Sequence, residues 1–261
     1  MFLPKRLRKL LGVYPIYSSE NPPPPPRDGR WISFASNCED VYLHRCFSSP
    51  GFYIDIGANH PYEGSVTKHL YDQGWRGINI EPHSQMFALL MRDRPRDINL
   101  NCGVGSSKSE LTFFETKISG YSSFIQSIAQ DRESTSKVVC VEPLNDICHR
   151  FNVKKIDFLK IDVEGAEKDV LRGFDLLHWR PSLMAIEATY PGTSTPSFSE
   201  WENSVLESGY ERVLFDGVNA WYIAHEALHL KEKFSLPPNV WDNFIPEECW
   251  RFSCDVVRLR G

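Results

Sequence analysis

The stretch Gly51-Phe-Tyr-Ile-Asp55-Ile-Gly57-Ala-Asn59-His-Pro61 constrains this chain more than any other. Phe52 to Ile56 is a short apolar run carrying one carboxylate. Gly57, Ala58 and Asn59 turn the chain with small residues. A helix is expected over 63–73, with Val66, Leu70 and Gln73 sharing a face with Tyr62, and Gly74 stopping it. A buried strand, a tight small-residue turn and a helix make a nucleotide-binding crossover. The small residues let the backbone approach a ligand, and the N–H groups of the next helix point at it. This turn has one glycine where the dinucleotide pattern has three.

Three further strands repeat the acid at the end. Arg76 to Glu81 is an apolar-type strand closing on Glu81, 26 residues after Asp55. An acid at about that offset bonds ribose hydroxyls. Lys155 to Asp162 is a buried-type strand closing on Asp162, and Ser182 to Ala188 another carrying Glu187 near its end. A nicotinamide dinucleotide fits poorly, because Asp55 would repel a pyrophosphate. A carboxylate there suits the amino-acid end of S-adenosylmethionine, whose ammonium and sulfonium are both positive.

The rest of the chain alternates strands and helices, which predicts a parallel sheet with helices on both faces. Helices are expected over 37–47 with Asn37 as N-cap, 83–93, 144–151, after Asp162, and 198–208 with Trp201, Val205 and Leu206 inside. Strands are expected at 97–102, 111–114 and 137–141, with a long polar loop over 116–136. Tyr210 to Phe215 and Asn219 to Ala224 flank Asp216-Gly217 and read as an antiparallel hairpin. The sum is an α/β, Rossmann-like fold, expected as a mostly parallel seven-stranded sheet with helices on both faces and an antiparallel C-terminal hairpin, an arrangement that resembles the class I methyltransferase fold. Ligands in such sheets sit outside the C-terminal strand ends, where Asp55, Glu81, Asp162 and Glu187 fall.

At 261 residues, one large domain with extensions is expected. Residues 1–11 place Leu3, Leu7, Leu10 and Leu11 on one helical face, with Lys5, Arg6, Arg8 and Lys9 largely elsewhere. This is either a solvated terminus or a basic amphipathic segment able to rest on an anionic membrane. Pro22 to Pro26 form a stiff spacer. Residues 1–30 are thus read as an arm, 31–225 as the main domain and 226–261 as an extension, which Trp241, Phe244, Trp250 and Phe252 would pack down. A net charge of −5 speaks against nucleic acid as a partner. Seven scattered cysteines without a C-x-x-C pair read as reduced thiols, not a zinc site, and no signal or spanning segment is visible, so a cytoplasmic location is expected.

Residues Phe52 to about Tyr222, roughly two-thirds of the chain, resemble the FkbM family of S-adenosylmethionine-dependent methyltransferases. The matching pieces are Tyr-Ile-Asp55-Ile-Gly57-Ala-Asn59, Ser65-Val-Thr67, Gly-Trp-Arg-Gly-Ile-Asn-Ile-Glu81-Pro82, Arg94-Pro-Arg-Asp-Ile-Asn-Leu100 and Phe-Leu-Lys160-Ile-Asp162-Val-Glu164-Gly165-Ala-Glu167. Asn37-Cys-Glu39-Asp40-Val41 also resembles a helix preceding the domain in one branch of the family. His60-Pro61-Tyr62 departs from the family, which more often has a small or acidic residue and Gly there. The resemblance implies methyl transfer to a hydroxyl oxygen, often on a sugar or glycan. A non-sugar small molecule is the alternative acceptor, and a non-catalytic cofactor-binding module the alternative of a different class.

In that frame Asp55, Gly57, Ala58, Asn59 and Ser65 would hold the methionine end, Glu81 the ribose, and Gly103 with Val104 the adenine. Asp162 would lie beside the transferred methyl. It could serve as the base, orient the acceptor, or ligate magnesium or calcium with Glu187 and Glu164. His60 and His83 each follow a carboxylate strand end closely and are further base candidates. Tyr121, Ser122, Ser123 and the 189–196 loop could line an acceptor groove.

Overall fold

The computed structural model describes residues 24–117, 119–129 and 133–259. The membrane-contact segment 1–11, most of the 1–30 arm and the side chain of Tyr121 lie outside what is described. No described helix is long and apolar enough to cross a membrane.

Seven strands form the central sheet: β1 (Phe52–Ile56), β2 (Arg76–Ile80), β3 (Ile98–Leu100), β4 (Phe158–Ile161), β5 (Leu183–Glu187), β6 (Tyr210–Phe215) and β7 (Asn219–Ala224). Their spatial order is β6-β7-β5-β4-β1-β2-β3. The five strands from β5 to β3 are parallel, and β7 runs antiparallel to both neighbours. The sheet is therefore mixed, with the reversed strand supplied by the expected hairpin. Tyr53, Ile54, Ile56, Phe158, Leu159 and Ile161 are fully or nearly fully buried, as central strands covered on both faces must be. The chain leaves β1 toward β2 on one side and later builds β4 and β5 on the other. That reversal opens a crevice beyond the C-terminal ends of β1 and β4.

A second sheet lies beside the first. Gly103–Val104 pairs parallel with Ser134–Glu142, which pairs antiparallel with Ser109–Thr116 from Ser109↔Val141 to Thr116↔Ser134. Much of the expected 116–136 loop is thus strand, a 3₁₀ turn at Ser119–Tyr121 and a short helix at Gln126–Ala129. The Ser/Thr-rich strand 134–142 is largely exposed, so it lacks the apolar alternation that marks a half-buried strand.

Other boundaries move for local reasons. The expected helix over 63–73 covers only Lys68–Asp72. Residues 61–67 are held as a loop by Arg94, a fully buried side chain that donates to Pro61 O, Thr67 O and Ser65 Oγ. The helix Glu39–Cys46 starts after Cys38, whose φ of 58° places it at the N-cap, so Asn37 does not cap it. Leu206 is exposed, while Trp201 and Val205 are buried as expected. In the C-terminal part Phe244–Pro246 pairs parallel with Trp31–Ser33 and ties the extension to the first strand of the domain. Trp241 is 91% exposed, so it does not pack the tail down.

Candidate active site

A cavity of about 290 Å³ occupies the crevice beyond β1 and β4. Gly57 makes it possible. Its φ is +76°, and a Cβ there would lie 1.7 Å from the Asp162 carbonyl oxygen. The turn can therefore press against the end of β4, where Asp162 N donates to Ile56 O. Gly57 N and Ala58 N both donate to Ile80 O, pinning the turn to β2 as well. The acids at three strand ends are thereby brought to one place.

Asp55 is 1% exposed. Its Oδ2 accepts from Thr67 Oγ1 at 2.8 Å, while Oδ1 is buried with no hydrogen-bond partner. Asn59 adopts φ 51°, which aims its N–H at Glu81 Oε2 at 2.7 Å. Its own Oδ1 has no hydrogen-bond partner. Glu81 Oε1 accepts from His83 N at 2.6 Å. Each Glu81 oxygen keeps lone-pair capacity for a second donor. Burial pushes Glu81 up to about 7 against the pull of those two N–H groups.

That displacement has a thermodynamic consequence. An acid held above its ordinary 4.5 favours the folded state while protonated. The stability it contributes is complete below that value and is lost as pH rises through about 7. Unfolding titrations of the ligand-free protein should therefore show wild type losing on the order of 3 kcal/mol relative to Glu81→Gln between about pH 4.5 and 8. Parallel stability curves for the two proteins would contradict this.

Ser65, Gly103 and Val104 line the cavity as expected, and so do Gly57, Ala58, Asn59 and Asp162. Phe113 and Phe124 stand beside Gly103, their ring centroids 4.8 Å apart at 56°. A Cβ on Gly103 would meet Phe124 Cζ at 2.6 Å. This aromatic pair gives that side of the cavity an apolar wall and was not anticipated from sequence. Its signal, an aromatic pair on one face of 109–116 and in the following turn, is obscured by the exposed half of that strand.

The other unanticipated residue is Lys160. Its Nζ lies 2.9 Å from Asp162 Oδ2 and 3.8 Å from Asp55 Oδ1. Burial opposes the charge, but the Asp162 and Asp55 carboxylates outweigh it and hold the ammonium above the usual lysine range. Glu39 and Asn219 close the floor, with Asn219 Nδ2 donating to Glu39 Oε1 at 3.1 Å.

Glu187 does not line the cavity. It stands behind Asp162, and oxygens of Asp162, Glu164 and Glu187 lie within 4.8 Å of one another. Burial, then the negative charges of Asp162, Glu164 and Glu167, push Glu187 far above the carboxylate range. Burial and these charges favour its neutral form, and its Oε2 is buried with no hydrogen-bond partner. The convergence expected of Asp162 and Glu187 is present. Lys160 already supplies one positive charge at Asp162, so a cation held by this set would share that carboxylate with the ammonium.

Neither histidine reaches the cavity. His60 Nδ1 accepts from Tyr62 N and Glu63 N, closing a turn. His83 caps the helix Ser84–Asp93 by accepting from Gln85 N, and its Nε2 faces Thr116 O at 3.3 Å. Both rings are used locally, which corrects their reading as bases. Of the expected acceptor groove, Ser122 lines the cavity. Ser123 donates instead to Glu164 O, and the 189–196 loop closes on itself through a Thr189–Pro196 bridge away from the lining.

Comparison with known proteins matches a family model over more than half of the chain. The model of the methyltransferase FkbM domain matches residues 55–212, a span that opens on Asp55 and contains Glu81, Asp162 and Glu187. Methyltransferase 1 of Beauveria bassiana (strain ARSEF 2860) is 30% identical over 169 residues, covering 54% of this chain and 67% of that protein. Methyltransferase sdnD of Sordaria araneosa is 28% identical over 179 residues, covering 54% and 69%. Among solved structures, methyltransferase FkbM from Methylobacillus flagellatus KT superposes with a TM-score of 0.44 at 19% identity, covering 68% of this chain and 44% of that one.

Proposed function

Because the chain belongs to the FkbM methyltransferase family, we propose that it is an S-adenosylmethionine-dependent O-methyltransferase acting on a sugar hydroxyl of a glycan or glycosylated metabolite. The observation that carries the cofactor assignment is the pair of buried carboxyl groups, Asp55 and Glu81, in one cavity. Asp55 Oδ1 has no hydrogen-bond donor, and Glu81 is pre-oriented by two backbone N–H groups. A cation and a diol are what such groups lack.

When bound, S-adenosylmethionine supplies a methyl group on positively charged sulfur. Asp55, Gly57, Ala58, Asn59 and Ser65 would surround the methionine end, and Glu81 would accept from the ribose hydroxyls. Phe113, Phe124, Gly103 and Val104 would sandwich the base. The Asp162 carboxylate would take the proton from the acceptor hydroxyl. Lys160 fixes the carboxylate from one side, and the Glu187 acid supports it from behind. Alignment of hydroxyl and carboxylate would supply much of the rate, since near-attack geometry contributes roughly 7–11 kcal/mol.

The polar lining residues Ser119, Ser122 and Glu164 support an acceptor rich in hydroxyls. The test is methyl transfer from labelled S-adenosylmethionine to a panel of glycosides and of sugar-free alcohols, with products fragmented by mass spectrometry. Label on the sugar ring is expected. Label confined to aglycones or to sugar-free alcohols would replace the sugar with another small molecule.

A further inference from the structure

We propose that this site takes acceptors bearing no phosphate or carboxylate near the methylated hydroxyl, so that the sugar is methylated after it has left any nucleotide or phosphate carrier. The inference rests on the methyl-transfer reading above and specifies its substrate class. It comes from the charges around the cavity and from what its hydrogen-bond donors already hold.

Among the described residues that line the cavity, six carry carboxyl groups: Glu39, Asp55, Glu63, Glu81, Asp162 and Glu164. One, Lys160, is basic. Glu63 can be set aside, because Arg251 meets it at 3.0 Å. Lys160 is committed as well, with Asp162 at 2.9 Å, Asp55 at 3.8 Å and the charge of Glu39 also acting on it. The bound sulfonium offsets one further negative charge. No described lining cation is then left to compensate an anionic acceptor, and bringing like charges together is costly.

Phosphate can also be held by backbone N–H groups at a turn or helix start. Here two such places among the described residues are filled by the chain's own carboxyl groups. Val163 N and Gly165 N, in the turn after β4, both donate to Glu167 Oε1 at 3.2 and 3.1 Å. Asn59 N and His83 N, at the turns after β1 and β2, both donate to Glu81. In these two places the chain thus answers its own N–H groups with carboxyl groups. A neutral or amine-bearing sugar meets no such obstacle. If its carrier was a nucleoside diphosphate, a glycosyl transfer must remove that diphosphate before methylation.

The experiment uses the full chain with saturating labelled S-adenosylmethionine. It compares the same hexose as an uncharged aryl glycoside, as a 2-amino glycoside, as a uronate glycoside and as its uridine diphosphate ester. A polyol and its monophosphate serve as the sugar-free pair. Calorimetry first measures cofactor binding. The uncharged and amino compounds should be methylated with kcat/KM at least about a hundredfold above the anionic ones, since like-charge juxtaposition costs several kcal/mol. Equal or better use of the diphosphate ester or uronate overturns the proposal. Bound cofactor with labelling of the polyol alone removes the sugar reading but upholds charge selection, and preference for its monophosphate removes both. Absence of cofactor binding overturns the methyl-transfer reading and this inference together.

Discussion

Asp162→Asn should lower the turnover number by about 10²–10⁴-fold, the range for removing a positioned general base, with S-adenosylmethionine affinity changed less than about tenfold. Asparagine keeps the shape and can still accept from Lys160, so the position of Lys160 Nζ, 2.9 Å from Oδ2, need not change. What is removed is the basic oxygen. Glu187→Gln is the informative partner. Glu187 is held neutral by burial and by the charges of Asp162, Glu164 and Glu167, and glutamine is also neutral and donates a hydrogen bond. Its rate should therefore fall by less than about tenfold. Single-turnover methyl transfer at saturating cofactor separates the two, with calorimetry for affinity. If Glu187→Gln is as slow as Asp162→Asn, the base has been assigned to the wrong carboxyl group. If Asp162→Asn turns over like wild type, proton acceptance lies elsewhere.

The parts of this site legible in the sequence are those where backbone geometry leaves little choice of residue. Gly57 must be glycine, because a Cβ would strike the Asp162 carbonyl, and the acids at strand ends announce themselves by position. The misread parts share one cause, which is that a side chain's partner is set by tertiary contact. His60 and His83 sit next to strand ends in sequence, yet their ring nitrogens accept from backbone N–H groups two or three residues on. Local capping and catalysis place the same residue type in the same neighbourhood. Lys160 lies inside the buried-type strand that closes on Asp162, and the sequence assigns it no role. Only the alignment of β1 with β4, which pairs Asp55 with Lys160 across the ladder, reveals it as the counter-ion of two carboxylates.

The sheet was similarly readable where burial imposes an apolar run, as in β1 and β4, and unreadable where a strand faces water. The strands expected at 111–114 and 137–141 extend to 109–116 and 134–142, where the added Ser134, Thr135 and Ser136 are exposed and carry no apolar signal. The aromatic pair escapes a sequence reading because Phe124 falls in the expected 116–136 loop, and only the fold brings it to Phe113. The loop over 61–67 is a comparable case. Its residues have a helical period, yet buried Arg94 draws the Pro61 and Thr67 carbonyls onto its guanidinium. Arg94 comes 27 residues after Thr67 and its donors are satisfied by those carbonyls, a pairing no local pattern contains.

Glu81→Ala should weaken S-adenosylmethionine binding by about 10²–10⁴-fold, from two hydrogen bonds to a charged group at about 1.5–3 kcal/mol each. The two oxygens of Glu81 are fixed by Asn59 N at 2.7 Å and His83 N at 2.6 Å, so little orientational freedom remains to be lost when the ribose arrives. Alanine also strips those two N–H groups of their acceptor, and a melting curve in the absence of ligand reports that part separately. Glu81→Gln should lose less affinity and should remove a pH dependence. With Glu81 pushed up to about 7, wild-type affinity should decline as pH falls below that value, because donation from the ribose favours the ionised carboxylate. The glutamine variant should bind with a nearly flat profile over the same range. Calorimetric titrations at pH 6 and 8, the two sides of that value, measure both. Wild type and Glu81→Gln falling together would place the titrating group elsewhere, and unchanged binding by Glu81→Ala would remove the ribose from this end of the cavity.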